Sequence, residues 1–119
     1  MEERRSHRSN VPADALSRLL DACRTRGRFE AIVVSDDAGL LVASAAPTEL
    51  DVEEVAAVLP EPDRRRAVGR LRTTAFGVHG QTLYVGAIGG DPTRVAPEVQ
   101  ATLRGVRRIH SGEWRSESM

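Results

Sequence analysis

The chain has 119 residues, which is enough for one domain with its own hydrophobic core. Its 17 basic residues balance 17 acidic residues, which argues against a dedicated binder of nucleic acid or of membrane surfaces. All 17 basic residues are Arg. The sequence therefore has no lysine for a phosphate-binding loop, a Schiff base or a general base.

The single Cys23 excludes an intrachain disulfide and suits a reducing cytosol. The first ten residues lack the apolar stretch of a signal peptide, and no apolar run approaches the ~20 residues that span a bilayer. We therefore expect a cytoplasmic protein without membrane insertion.

The first predicted element is an amphipathic helix that begins near Pro12, after a disordered arm over residues 1–10. Gly27 is predicted to end this helix in the left-handed conformation that glycine favours. One apolar stripe follows the helical spacing: Leu16, Leu19, Leu20 and Cys23.

Two strand pairs follow, over residues 29–35 with 39–44 and over residues 70–79 with 81–89. Three of these strands carry apolar residues at both odd and even positions, so both faces of the sheet should be covered by helices. In the remaining strand, Leu71 and Phe76 are an odd number of residues apart. Either a bulge near Thr73–Thr74 or a bend between two environments would accommodate them.

A middle helix is predicted to begin near Asp51, because residues 51–54 (DVEE) have the form of a capping box. Pro60 and Pro62 then end it early. Its apolar stripe is Val52, Val55, Ala56 and Leu59.

The last helix has apolar residues at spacings of three and four from Val95 to Ile109. Either Asp91-Pro92 or Ala96-Pro97 starts this helix, and residues 111–119 are expected to form a tail.

The candidate reactive residues favour structural interpretations. Asp36 and Asp37 lie in a turn that ends in Gly39, where Asp can bond its own backbone. The three histidines are scattered and, with Cys23, do not form the four-ligand cluster that zinc requires. Residues 86–90 (GAIGG) lack the full dinucleotide-binding pattern. We therefore predict no catalytic residue, no metal site and no cofactor, and hence not an enzyme.

Charge is segregated along the chain, and the Arg run is interpreted either as a solvated loop, the more common case, or as a contact with an acidic partner. Residues 36–63 contain eight acidic residues and no basic one, whereas residues 64–72 contain five Arg and no acid. No aromatic residue is interleaved with these Arg residues to stack bases, so an acidic protein surface is a better partner than nucleic acid.

The segments 29–44 (FEAIVVSDDAGLLVAS) and 80–90 (GQTLYVGAIGG) resemble the first hairpin and the closing strand of the roadblock family of dynein-light-chain-like domains. The helix with Leu19-Leu20 and the final helix, which ends in RGVRRI over residues 104–109, fit the same order. The resemblance covers roughly residues 12–110. It departs from the family where Pro60 and Pro62 shorten the middle helix, and where four strands are evident instead of five.

The resemblance implies an α+β fold of the roadblock/profilin type. Its antiparallel sheet of four to five strands would lie between helices, in the order α-β-β-α-β-β-α over residues 11–110. It also implies a homodimer, or a heterodimer with a paralogue, that joins two sheets edge to edge and packs the two middle helices together.

Bacterial relatives commonly act on a Ras-like small GTPase, so a dimeric regulator or docking platform for such a GTPase is the leading hypothesis. The alternatives are a non-catalytic scaffold subunit of a signalling or motility complex and a small-ligand sensor. The candidate contacts with a partner or a second copy are Val52, Glu53, Glu54, Val55, Leu59, Arg64, Arg65, Arg66, Arg70 and Arg72.

Overall fold

The computed structural model describes the backbone of residues 2–78, 80–90 and 95–110, and the side chains of residues 15–78, 80–90 and 97–109. Four strands form one antiparallel sheet: β1 (Phe29–Asp36), β2 (Leu41–Ala45), β3 (Leu71–Val78) and β4 (Gln81–Gly89). Their order across the sheet is β2-β1-β4-β3. The central pair, β1 and β4, is almost fully buried, as the apolar residues at both parities predicted.

Helices cover both faces of this sheet. They are α1 (Glu2–Gly27), α2 (Val52–Val58), the one-turn α3 (Pro62–Arg65) and α4 (Val95–His110). On one face α1 packs over β1 and β2, and α4 packs over β3 and β4, while α2 lies on the other face against β1 and β2. This order of elements is the predicted one, with α3 as an added turn.

Two apolar clusters hold the layers together. The larger lies between the sheet and the pair α1/α4, and its largest fully buried members are Leu20, Ile32 and Leu83. The smaller lies under α2 and is formed by Ala31, Val33, Val55, Ala56, Leu59 and Ile88.

The first helix differs from its prediction at both ends. It begins at Glu2, so residues 2–10 are helical where the sequence suggested an arm. At its other end Gly27 still belongs to the helix, and Arg28 adopts the left-handed conformation, with φ 58°. The prediction for Gly27 was therefore wrong, because this glycine instead makes room for the ring of Phe29.

The turn between β1 and β2 confirms the structural interpretation of Asp36. Its Oδ1 accepts hydrogen bonds from the backbone N–H groups of Ala38 and Leu40, both at 2.9 Å. Gly39 has φ 83°, a conformation in which glycine is unstrained. The carboxylate is thus used to hold the turn.

The predicted cap of α2 is also confirmed. Asp51 accepts a hydrogen bond from the backbone N–H of Glu54 at 3.2 Å, and the helix ends at Val58 with Leu59 as its C-cap. The following Pro60 cannot donate the next helical hydrogen bond, so the helix stops after two turns.

Strand β3 shows no bulge. Its pairing with β4 is regular from Leu71 opposite Ile88 to Val78 opposite Gln81, which excludes the bulge at Thr73–Thr74, one of the two alternatives. Leu71 packs into the cluster under α2 and Phe76 into the cluster under α4. Because both faces of the sheet are covered, a flat strand can bury apolar residues of opposite parity.

The ends of α1 and α4 are tied by an ion pair. Arg26 Nε lies 3.2 Å from the Glu98 carboxylate, and this hydrogen bond raises the pKa of the Arg26 guanidinium. α4 includes Pro97 in its first turn, where a missing N–H costs little. The alternative start at Asp91-Pro92, His79 and residues 111–119 lie outside the described residues.

No helix within the described residues is long and apolar enough to cross a bilayer.

Candidate interaction surface around α2 and the edge of β3

The apolar stripe of α2 faces the sheet. Val55 and Leu59 are buried, and Val52 packs at the margin of the same cluster. Gly86 of β4 lies so close to Leu59 that an added methyl group would be 2.5 Å from Leu59 Cδ2. These three residues therefore hold α2 on its own sheet.

The outer side of α2 carries Glu53 and Glu54, which are both exposed. Neither carboxylate has an ion pair or hydrogen bond within the described part of the chain. They remain candidates for contact with a partner, since an exposed carboxylate without a partner is fully available to an incoming basic group.

The Arg run after α2 is tied to local groups. Arg64 lies 3.6 Å from Glu61, and Arg66 lies 3.3 Å from Asp63. Arg65 Nη1 donates to the Leu59 carbonyl at 2.7 Å and so satisfies an acceptor at the end of α2. The two ion pairs are exposed, so they contribute little to stability and can be exchanged for contacts with another molecule.

Arg70 and Arg72 flank the start of β3. Arg70 has φ 62°, and its Nη1 lies 3.1 Å from Glu30 Oε2. Arg72 is exposed and has no ion pair within the described residues. It shares its strand parity with Phe76, so it lies on the α4 side of the sheet and not on the α2 side.

Five of the ten predicted contact residues line two grooves. Glu54, Val55 and Arg64 line a groove of about 490 Å³ beside α2. Arg65 and Arg66 line a second groove, of about 350 Å³, toward the start of β3. The remaining wall of the first groove is formed by Leu50, Asp51, Val58, Ala67 and Val68.

The most conspicuous feature of this region is the outer edge of β3. β3 is the last strand in the sheet order, and no other described strand pairs with its outer side. It has eight residues, against five in β2 at the opposite edge. A long unpaired edge strand is a template for pairing with another chain.

The hydrogen-bond pattern shows which backbone groups this edge offers. The Gly89 N–H donates to the Arg70 carbonyl at 3.1 Å, so position 70 bonds to β4. Because bonded and non-bonded positions alternate along an antiparallel pair, the odd positions direct their N–H and C=O groups outward. They are Leu71, Thr73, Ala75 and Gly77.

The described residues contain no group of three or more His, Cys, Asp or Glu side chains that is placed to hold a metal ion. Cys23 is fully buried in the larger cluster, which agrees with its predicted role in packing. This region therefore offers three means of recognition: apolar surface, charged side chains, and the outward backbone N–H and C=O groups of β3.

No protein-family model and no curated protein matches the chain. Solved structures do match. MglB of Myxococcus xanthus gives a TM-score of 0.62 at 12% identity, over 83% of this chain and 90% of that one. The gliding protein MglB of Thermus thermophilus gives a TM-score of 0.63 at 12% identity, over 82% of this chain and 90% of that one.

An MglB with a tetrameric arrangement gives a TM-score of 0.64 at 12% identity, over 82% of this chain and 89% of that one. At this identity the likeness establishes the architecture. The chain has the roadblock-type fold of MglB, which confirms the fold class that the resemblance implied.

Proposed function

We propose that this chain is a cytoplasmic, non-catalytic protein that dimerises through β3 and serves as a regulator or docking platform for a Ras-like small GTPase. The observation that supports dimerisation is the outer edge of β3, with which no other described strand pairs. The GTPase partner is supported by the roadblock resemblance and by the fold shared with MglB.

The pattern of outward backbone groups favours one register for the dimer. Two antiparallel copies of β3 centred on Thr74 would bond Leu71 to Gly77 of the second copy, and Thr73 to Ala75. All four outward-facing residues are then used. The two Thr74 side chains would meet as a non-hydrogen-bonded pair, and Thr–Thr pairs of this kind are favourable across strands.

Proline substitution tests this edge without disturbing the rest of the sheet. Ala75→Pro removes an N–H that points away from β4, so it should leave the protomer folded and abolish the dimer. Ala75→Val keeps the N–H and is the matched control. Light scattering should give twice the chain mass for the unmodified protein and for Ala75→Val, and a single chain mass for Ala75→Pro.

Cysteine cross-linking tests the register. In a non-hydrogen-bonded pair the Cα atoms are about 4.5 Å apart, which is within disulfide range. Thr74→Cys should therefore form a disulfide dimer on oxidation, whereas Gly77→Cys should not, because Gly77 would lie opposite Leu71. The native Cys23 is fully buried and can stay in place. Equal cross-linking at both positions would rule out the Thr74-centred register.

The groove beside α2 is the proposed contact for the GTPase. Ala67 is an exposed residue in its wall, so Ala67→Trp should fill the groove and weaken the complex. Ala22→Trp, on the exposed side of α1, makes the same change on the opposite face. The measurement is GTP turnover by a Ras-like GTPase from the same genome, together with complex formation on gel filtration. Neither turnover nor complex formation would respond to this chain if the proposal is wrong.

Two outcomes would favour the other functions. Stoichiometric binding of a partner in every nucleotide state, with unchanged turnover, would indicate a scaffold subunit. A copurified small molecule in native mass spectrometry, lost in Ala67→Trp, would indicate a ligand sensor, for which the groove of about 490 Å³ is large enough.

A further inference from the structure

Although the net charge of the chain is zero, basic and acidic side chains are distributed unequally between the two sides of the sheet. The described side chains of α1 and α4, over residues 15–27 and 97–109, include six Arg and only two acids, Asp21 and Glu98. Glu98 is already paired with Arg26. On the opposite side of the sheet, residues 51–66, which span α2 and α3, contain five acids and three Arg, so this side has a small excess of negative charge.

Several Arg residues of the α1/α4 layer are exposed near the contact between the two helices. Leu19 of α1 packs against Gly105 of α4, where an added methyl group would be 2.6 Å from Leu19 Cδ2. The neighbouring Arg18 and Arg104 are exposed, and neither has an ion pair within the described residues.

The same basic surface continues to the edge of the sheet. Arg107 extends over the ring of Phe76, with its Cζ 5.8 Å from the ring centroid, and it is exposed. Arg72 lies on this side of β3. We call Arg18, Arg72, Arg104 and Arg107 the basic face.

In the proposed dimer, two copies of the basic face would lie side by side. The inference therefore rests on the proposed dimer. A two-fold axis that relates two antiparallel strands of one sheet is perpendicular to the sheet, so both α1/α4 layers lie on the same side. α4 lies nearer to β3 than α1 does. The Arg residues nearest to β3 in the two copies would therefore approach one another across the axis, and an anionic partner would relieve their mutual repulsion.

We propose that the basic face of the dimer adsorbs to an anionic lipid surface. Arg guanidinium groups bind phosphate through paired hydrogen bonds, and clustered basic residues are attracted to anionic leaflets. The face is the outer side of two packed helices, and the grooves described above lie on the other side of the sheet. Its exposed Arg residues are spread over two helices and β3, and such a spread fits the continuous anionic surface of a bilayer better than a single acidic peptide.

This adsorption involves no insertion. The exposed large apolar side chain of the described residues is Leu40, in the turn between β1 and β2, and not on the basic face. Binding is therefore purely electrostatic and weakens as salt screens the charges. It also orients the dimer, because the α2 side carries more acids than Arg and is not attracted to the lipid, so it faces the solution, where the proposed GTPase contact lies.

Vesicle co-sedimentation of the full chain tests the proposal. Phosphatidylcholine vesicles rich in phosphatidylserine should sediment the protein at low salt and release most of it at about 0.15 M ionic strength, where the Debye length is about 8 Å. Vesicles of phosphatidylcholine alone should not sediment it. Arg18→Glu/Arg104→Glu should reduce the bound fraction at least tenfold.

The matched control is Arg64→Glu/Arg66→Glu, which changes the net charge by the same amount on the α2 side and should reduce binding much less. Equal loss in both double variants, or equal binding to both vesicle types, would overturn the proposal. Salt-sensitive self-association without vesicles that Arg18→Glu/Arg104→Glu abolishes would also overturn it, in favour of the acidic side of another copy as the occupant. Light scattering of the same samples reports the dimer independently, so failure of the dimer and failure of lipid binding can be told apart.

Discussion

The ring of Phe29 lies over the Cα of Gly27, two residues earlier in the chain, and occupies the space that a side chain at position 27 would need. Gly90, at the end of β4, meets the same ring from another direction. Because neither glycine has a side chain, the ring of Phe29 can pack at the end of the larger apolar cluster. This contact explains why a helix keeps a glycine in its last turn.

Gly27→Ala should destabilise the protein although alanine favours helices. The added methyl group overlaps the ring of a buried Phe29, and overpacking of this kind costs about 1–3 kcal/mol. Urea denaturation followed by circular dichroism measures the change. Gly69→Ala is the control, because nothing lies within 4 Å of its added methyl group, and it should be neutral or slightly stabilising.

Gly86 and Leu59 should show strong coupling. Leu59→Ala removes a fully buried side chain and should cost about 2–5 kcal/mol, and Gly86→Ala should cost about 1–3 kcal/mol by pushing against Leu59. In the double variant the new methyl group fills part of the space that Leu59 leaves. The combined loss should therefore fall short of the sum by roughly 0.5–3 kcal/mol. Additive losses would show that α2 does not rest on β4 through this pair.

Arg28→Gly should stabilise the protein. Arg28 is exposed and has φ 58°, a left-handed conformation that strains residues with a side chain. Glycine removes this strain at some cost in unfolded-state entropy, for a net gain of about 0.5–1 kcal/mol. Arg28→Ala keeps the strain and should leave the unfolding midpoint unchanged. A gain in both variants would trace the effect to the Arg side chain and not to the backbone.

Ser35 and Thr102 should respond in opposite directions when their hydroxyl groups are removed. Ser35 is fully buried, and its Oγ has no hydrogen-bond partner in the described structure. Ser35→Ala should therefore be neutral or stabilising by about 1 kcal/mol. Thr102 is also buried, but its Oγ1 donates to the Glu98 carbonyl at 2.8 Å, so Thr102→Val should cost about 0.5–1.5 kcal/mol. A clear loss for Ser35→Ala would indicate that its hydroxyl has a bound water as partner.

The parts of the fold that sequence could predict are those set by local chemistry. Asp51 caps α2, Pro60 stops it and Asp36 holds the first turn, and each effect depends on residues within four positions. The apolar residues at both parities of β1 and β4 correctly placed helices on both faces. These signals do not depend on the rest of the molecule.

The features that sequence could not predict depend on contacts between distant elements. At the end of α1 the left-handed residue is Arg28, and the ring of Phe29 takes the space at Gly27 because that ring is buried in the larger cluster with side chains from other elements. Leu71 and Phe76 need no bulge because each has its own apolar cluster. Val52, Val55 and Leu59 were expected to face either the sheet or a partner, and only the packing of α2 decides between these alternatives.

The predicted Arg contacts illustrate the same limit. Because residues 64–72 contain five Arg and no acid, we expected these side chains to form one surface. Instead, Arg65 caps α2, whereas Arg72 lies on the α4 side of β3. The direction of each side chain depends on strand parity and on local partners. The two-residue connection between β3 and β4 fixes which backbone groups of β3 face outward, whereas the predicted strands, over residues 70–79 and 81–89, left only one residue between them.

The shortness of α2 has a consequence for the choice of partner. Seven residues make a helix about 10 Å long, so two such helices meeting across a symmetry axis would share little more than one turn each. Most of the contact between copies would then come from main-chain pairing, which is nearly indifferent to side-chain identity. A chain built in this way would accept a sister protein almost as readily as itself, and the relative amounts synthesised would decide the mixture.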